Sequence, residues 1–135
     1  MRQVINLNEV RATVTVIGTL LSRWLGGFDG LLEALILFSV VDYVTGVACA
    51  IIEKKLSSEI GFKGIFRKVL IFMLVGIANA IDVFIVEGDG QLFRTAVIFF
   101  YLSNEGISIL ENTARLGLPI PDKLRDFLKQ MNKKN

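Results

Sequence analysis

Two long apolar runs limit what this chain can become. Leu31 to Ile52 and Lys68 to Val86 are each long enough, or nearly so, to cross a bilayer, which takes about 20 mostly apolar residues. A third run, Leu92 to Asn112, follows a short turn. Neither Leu31–Ile52 nor Leu92–Leu110 carries the charged outer face of a soluble-bundle helix, and 53% of the chain is hydrophobic. The predicted fold class is therefore all-α, an integral membrane helical protein forming one domain over residues 1–135. Three transmembrane helices are expected at 31–52, 68–86 and 92–112, with an amphipathic or short spanning N-terminal helix in 1–25 and a short amphipathic C-terminal helix in the basic tail 121–135.

In the N-terminal segment, Leu7, Val10, Val14, Ile17, Leu21 and Trp24 recur at steps of three and four and form one helical stripe. The apolar stretch Ala12–Leu25 is short for a span and suits an interfacial position equally well. Arginines before a short apolar core imitate a signal peptide, but without a convincing small-x-small cleavage site the segment is expected to remain in the mature protein. Pro119 and Pro121 precede a helix in which Leu124, Phe127, Leu128 and Met131 fall together.

Charge sets the expected orientation. The connector, residues 53–67, with its border residue holds Lys54, Lys55, Lys63, Arg67 and Lys68, and the tail holds Lys123, Arg125, Lys129, Lys133 and Lys134. The turns Gly26–Gly30 and Glu87–Gln91 hold no Lys or Arg. The positive-inside rule then predicts a cytoplasmic connector and tail, with both turns outside. Arg2 and Arg11 favour a cytoplasmic N-terminus. Ser57 or Ser58 can cap the segment that follows, and Gly61 and Gly64 suit a tight cytoplasmic elbow leading back toward the membrane at Arg67 and Lys68.

Polar residues inside the apolar runs are the candidate functional groups. A carboxylate at mid-depth costs at least about 2.5 kcal/mol unless it finds a partner or water. Asp42 and Glu105 fall there, with Asn79 and Asn104 nearby and Asp82 and Arg94 nearer the outer leaflet. On the third apolar run Arg94, Tyr101, Glu105, Ser108 and Asn112 keep to one helical face. Within a packed bundle, Arg94 would pair with Asp82 or Glu33 and the amides would cap one another. Alternatively Asp42, Asn79, Asp82, Arg94, Tyr101, Asn104, Glu105 and Ser108 line a wet surface between subunits, which requires a homo-oligomer because so few helices enclose no wide channel. The pairs Gly46/Ala50 and Gly76/Ala80 permit close helix packing.

Other functions find little support. The chain has no His, and its single Cys49 lies inside an apolar run, so no intrachain disulfide, thiol metal site, cofactor site or catalytic constellation is expected. A formal net charge of +2 does not indicate a nucleic-acid partner. Two mid-depth acids without an evident cation suggest a small proton-coupled transporter using Asp42 or Glu105, and a non-lytic membrane scaffold subunit would share the same helices.

Five motifs occur in order: Asp42-Tyr43-Val44-Thr45-Gly46; Leu56-Ser57-Ser58 with Gly61, Gly64-Ile65 and Arg67-Lys68; Ile81-Asp82; Asn104 through Asn112; and Gly117-Leu118-Pro119-Ile120-Pro121 with Leu124. Together they resemble the toxin secretion/phage lysis holin family over roughly Leu31 to Leu128. The resemblance implies a non-enzymatic protein of the bacterial inner membrane that self-associates. At a set time it would open lesions through which an endolysin or toxin passes as cargo without stable binding, leading to host-cell lysis. Anionic lipids are the expected partners of the basic connector and tail.

Overall fold

The computed structural model describes residues 4–88 and 90–133. Asp89 and Lys134 lie outside the described residues, as do the side chains of Leu128, Met131 and Lys133. The chain is all-α, with α1 (Leu7–Leu25), α2 (Gly30–Ile52), α3 (Ser58–Ile81), α4 (Leu92–Arg115) and α5 (Asp122–Lys133). A π-helical turn, Asp82–Val86, extends α3.

Capping fixes where α3 begins. Ser57 takes extended backbone geometry and its Oγ accepts the Ile60 N–H at 3.2 Å, so the helix starts at Ser58 rather than at the expected Lys68. The supposed elbow is mostly helix. Gly61 and Gly64 are weak helix formers, but their bare surfaces admit Tyr43 from α2: a Cβ on Gly64 would stand 3.0 Å from the Tyr43 ring. The Tyr43 hydroxyl donates to the Gly61 carbonyl at 3.3 Å.

Ion pairs and turns define the packing. Asp29, before α2, meets Arg94 at the start of α4, whereas Glu53, after α2, meets Arg115 at the end of α4. Helices α2 and α4 are therefore parallel and form the most extensive helix pair, and α3 returns antiparallel, packed more closely on α4 than on α2. Leu25, Leu32, Leu35, Ile71, Val75 and Ile98 form an apolar core near the two glycine turns. At that end the Trp24 indole lies directly over Gly76, tying the last turn of α1 to α3, while Val10, Val14 and Ile17 further along α1 stay exposed.

Among the described residues, α2 and the continuous stretch Ser58–Val86 are long and apolar enough to cross a membrane. Within the protomer only 17% and 33% of their most apolar windows are buried, unlike the core helices of a soluble protein. Helix α4 has the length, at 24 residues, but is too polar to qualify by composition. Replacing Gly76 by Val should displace the indole, at a cost of roughly 1–3 kcal/mol. Because Trp24 is the sole tryptophan, its emission should shift to longer wavelength in the detergent-solubilised variant; an unmoved spectrum would contradict this packing.

Candidate functional site

Equal depth assembles the central cluster. Asp42 lies ten residues before the end of α2, Lys68 ten after the start of α3 and Glu105 ten before the end of α4, each about 15 Å from the connector end of its helix. The Lys68 ammonium is hydrogen-bonded to both carboxylates. Asn112 reinforces the joint, donating from Nδ2 to Asp42 Oδ1 at 3.1 Å and to Thr45 Oγ1 at 3.0 Å. Its carbonyl accepts from Cys49 Sγ at 3.3 Å. Three helices are thus joined at one level by a lysine and two carboxylates.

A cavity of about 280 Å³ adjoins this cluster. Asp42, Lys68, Glu105, Ser108 and Asn112 line it, with Arg67 and Asn104 also on the wall and exposed. Two sets of residues that the sequence suggested separately, the polar stripe of α4 and the connector residues Gly61, Gly64, Arg67 and Lys68, meet here because α3 starts early. Lys68 supplies the cation that the two acids seemed to lack.

A second polar knot closes the other end. Arg94 is fully buried: Nε donates to the Leu25 carbonyl at 2.6 Å and one terminal nitrogen to the Gly27 carbonyl at 2.9 Å, while Asp29 takes both terminal nitrogens at 2.7 and 3.1 Å. Its carboxylate partner is Asp29, not Asp82 or Glu33. Asp82 instead accepts the backbone N–H groups of Phe93 and Arg94 at 2.9 and 2.8 Å, supplying the cap that Gln91 does not provide to α4. Asn79 donates to the Trp24 carbonyl at 3.1 Å rather than to another amide. Gly26 completes the knot with φ +83° and no room for a side chain beside Arg94.

The remaining expected residues divide among different tasks. Tyr101 is half-buried against the apolar core, outside the cleft. Gly46 faces Asn112 across the α2–α4 contact and Ala50 is buried, so this pair serves packing within the chain; Gly76 lies under Trp24 and Ala80 is half-buried. The helical stripe on α4 changes role along its length because its neighbours change. Sequence reasoning missed Lys68 as counter-ion and Asp29 as partner of Arg94. Counting ten residues inward from each connector-side helix end would have brought Asp42, Lys68 and Glu105 to one level, and a cation in the first turn of α4 opposes the helix dipole and calls for an acid.

Outside the apolar spans, hydrogen bonds from Arg94 hold the Asp29 carboxyl below its ordinary value of 3.8. A lowered pKa gives stability that is present above that ordinary value and is lost as pH falls through the lowered one, so the Arg94 knot survives mild acidification. Glu53 is likewise lowered by Arg115, and this exposed pair contributes little to stability.

The bacteriophage holin family model matches residues 19–133, including the anchored end of α1. An uncharacterized 14.9 kDa protein from the nagH 3' region of Clostridium perfringens is 42% identical over 128 residues, covering 95% of this chain and 96% of the relative. An uncharacterized Listeria monocytogenes protein is 42% identical over 82% of this chain and 78% of its own length. A Bacillus phage phi105 protein named "probable holin" is 40% identical over 97 residues, covering 72% of this chain and 70% of the relative. No solved structure matches the chain.

Lys68→Met should leave buried Glu105 and half-buried Asp42 without a counter-ion and destabilise the protein by about 3–5 kcal/mol, whereas Glu105→Gln, which retains the Asp42–Lys68 pair, should cost less. Buried Cys49 reports the difference through its reaction with a thiol-reactive dye during heating in detergent. Coincident melting curves for Lys68→Met and the parent chain would contradict the bracing role.

Proposed function

This chain belongs to the bacteriophage holin family, which places it among non-enzymatic proteins of the cytoplasmic membrane, and on that footing we propose that it self-associates there and opens timed lesions. An endolysin or toxin then crosses without stable binding, and the host cell lyses. The observation that carries this reading is the Asp42–Lys68–Glu105 cluster at mid-depth on helices whose outward faces are largely apolar. Such a protomer is stable packed among lipids or copies of itself. Its cleft residues Asp42, Asn104, Glu105 and Ser108 are the polar groups available to face a lesion when packing between protomers fails.

In this proposal α4 is the third span, stabilised in the bilayer because its charged residues face α2 and α3. The glycine turns lie outside; the connector, α5 and the N-terminus lie in the cytoplasm. Both turns occur at the end of the bundle opposite Lys54, Lys55 and Lys63, in agreement with the positive-inside rule. Lys123, Arg125 and Lys129 of α5 join those lysines in contacting anionic headgroups. Helix α1 is held firmly only at its Trp24–Gly26 end, leaving its exposed stripe for lipid or a neighbouring protomer. Asn79, Asp82 and Arg94 brace the protomer rather than line the opening.

Inducible expression with a membrane-potential dye tests the function. The parent chain should collapse the potential abruptly after a delay, and Asp42→Leu and Glu105→Leu should each change that delay. An intact potential would indicate a scaffold, and unchanged timing in both variants would exclude the cleft from lesion formation.

A further inference from the structure

The polar cleft cannot be left facing hydrocarbon. Its wall includes the exposed guanidinium of Arg67, nine residues into α3, and the exposed amide of Asn104, near the middle of α4. A long arginine side chain can extend toward an interface, but an asparagine amide is too short to do so. The remaining polar groups, from Glu105 through Ser108 to Asn112, descend α4 toward the connector end, opposite Gly61 and Ile60 in the first turns of α3. At the other end, Leu32, Leu35, Val75 and Ile98 are fully buried and the Arg94 knot lies beyond them. The protomer is therefore polar and hollow from mid-depth to the connector end and dry from mid-depth to the turns.

We propose that this cleft is a water-filled vestibule, open from the cytoplasmic side before any lesion forms and ending at the Asp42–Lys68–Glu105 cluster. Its volume of about 280 Å³ holds several waters, and its walls provide the multiple polar partners that bound water requires. Water reaches the ion cluster, so the barrier in each protomer is the apolar half between that cluster and the turns. The proposal rests on the membrane orientation given above but not on lytic activity.

Single cysteines introduced into a Cys49→Ala background test it. Ser108→Cys and the apolar-wall variant Val47→Cys probe the vestibule, with Ile98→Cys as the sealed-core control. Each variant is reconstituted at low density in inside-out and right-side-out vesicles and treated with a charged, membrane-impermeant methanethiosulfonate. Both vestibule cysteines should react about tenfold faster or more from the cytoplasmic side, and Ile98→Cys should react from neither. No reaction from either side would mean that lipid or a neighbouring copy fills the cleft and would overturn the proposal. Equal reaction from both sides would overturn it as a continuous path, and reaction only from the turn side would overturn its orientation. Val47→Cys keeps the test decisive if Ser108→Cys does not fold. A chain that forms no lesions can still label asymmetrically, so failure of the lytic reading and failure of the vestibule are distinguishable.

Discussion

Lys68 between Asp42 and Glu105 is the interaction on which the arrangement of the three long helices depends. Each of these charges would be costly alone at mid-depth, and the lysine bonds to both acids. The requirement fixes the rotation and depth of α2, α3 and α4 together, because a shift of one turn, about 5.4 Å, would separate the charges. A buried ion cluster is a weak source of net stability, but breaking it is costly. It thus favours one packing strongly over alternatives with unmatched charges.

The bundle divides at that level. Toward the turns, an apolar core and a buried arginine tie α1, α2, α3 and α4 into one block. Toward the connector, α3 contacts α2 chiefly through Tyr43 against Gly61 and Gly64, and the cleft lies alongside. The two halves are thus packed unequally. In the proposed mechanism, loss of packing between neighbouring protomers is felt first in the hollow half, where fewer apolar contacts oppose it.

Much of the fold was legible in the sequence. Long apolar runs identify helices whatever their surroundings, so the expected α2 boundaries fall within one residue of those found and the amphipathic C-terminal helix falls where expected. The start of α3 was not legible from apolarity, because ten capped residues rich in charge and glycine are helical through Ser57 and tertiary contact with Tyr43. Misplacing that start hid Lys68 from its partners. The stripe on α4 was recognised as one face, but periodicity cannot tell which neighbour that face meets; Arg94, Tyr101 and Glu105 share a stripe and meet a knot, a core and a cleft. The expected topology already put Arg94 and the turn before α2 on one side, but apolarity and charge bias do not say which acid on that side an arginine meets, so Asp29 was passed over for Asp82 or Glu33.

Charge balance at mid-depth, rather than the individual residues there, is the central claim, and the delay before depolarisation tests it most directly. The measurement compares Lys68→Met alone with a variant that also carries Asp42→Asn and Glu105→Gln, at matched membrane abundance. Unpaired carboxylates should markedly shorten the delay in the single variant, and neutralising all three positions should restore most of it. Equal delays in the parent, single and triple variants, or a triple variant as early as the single one, would contradict the account.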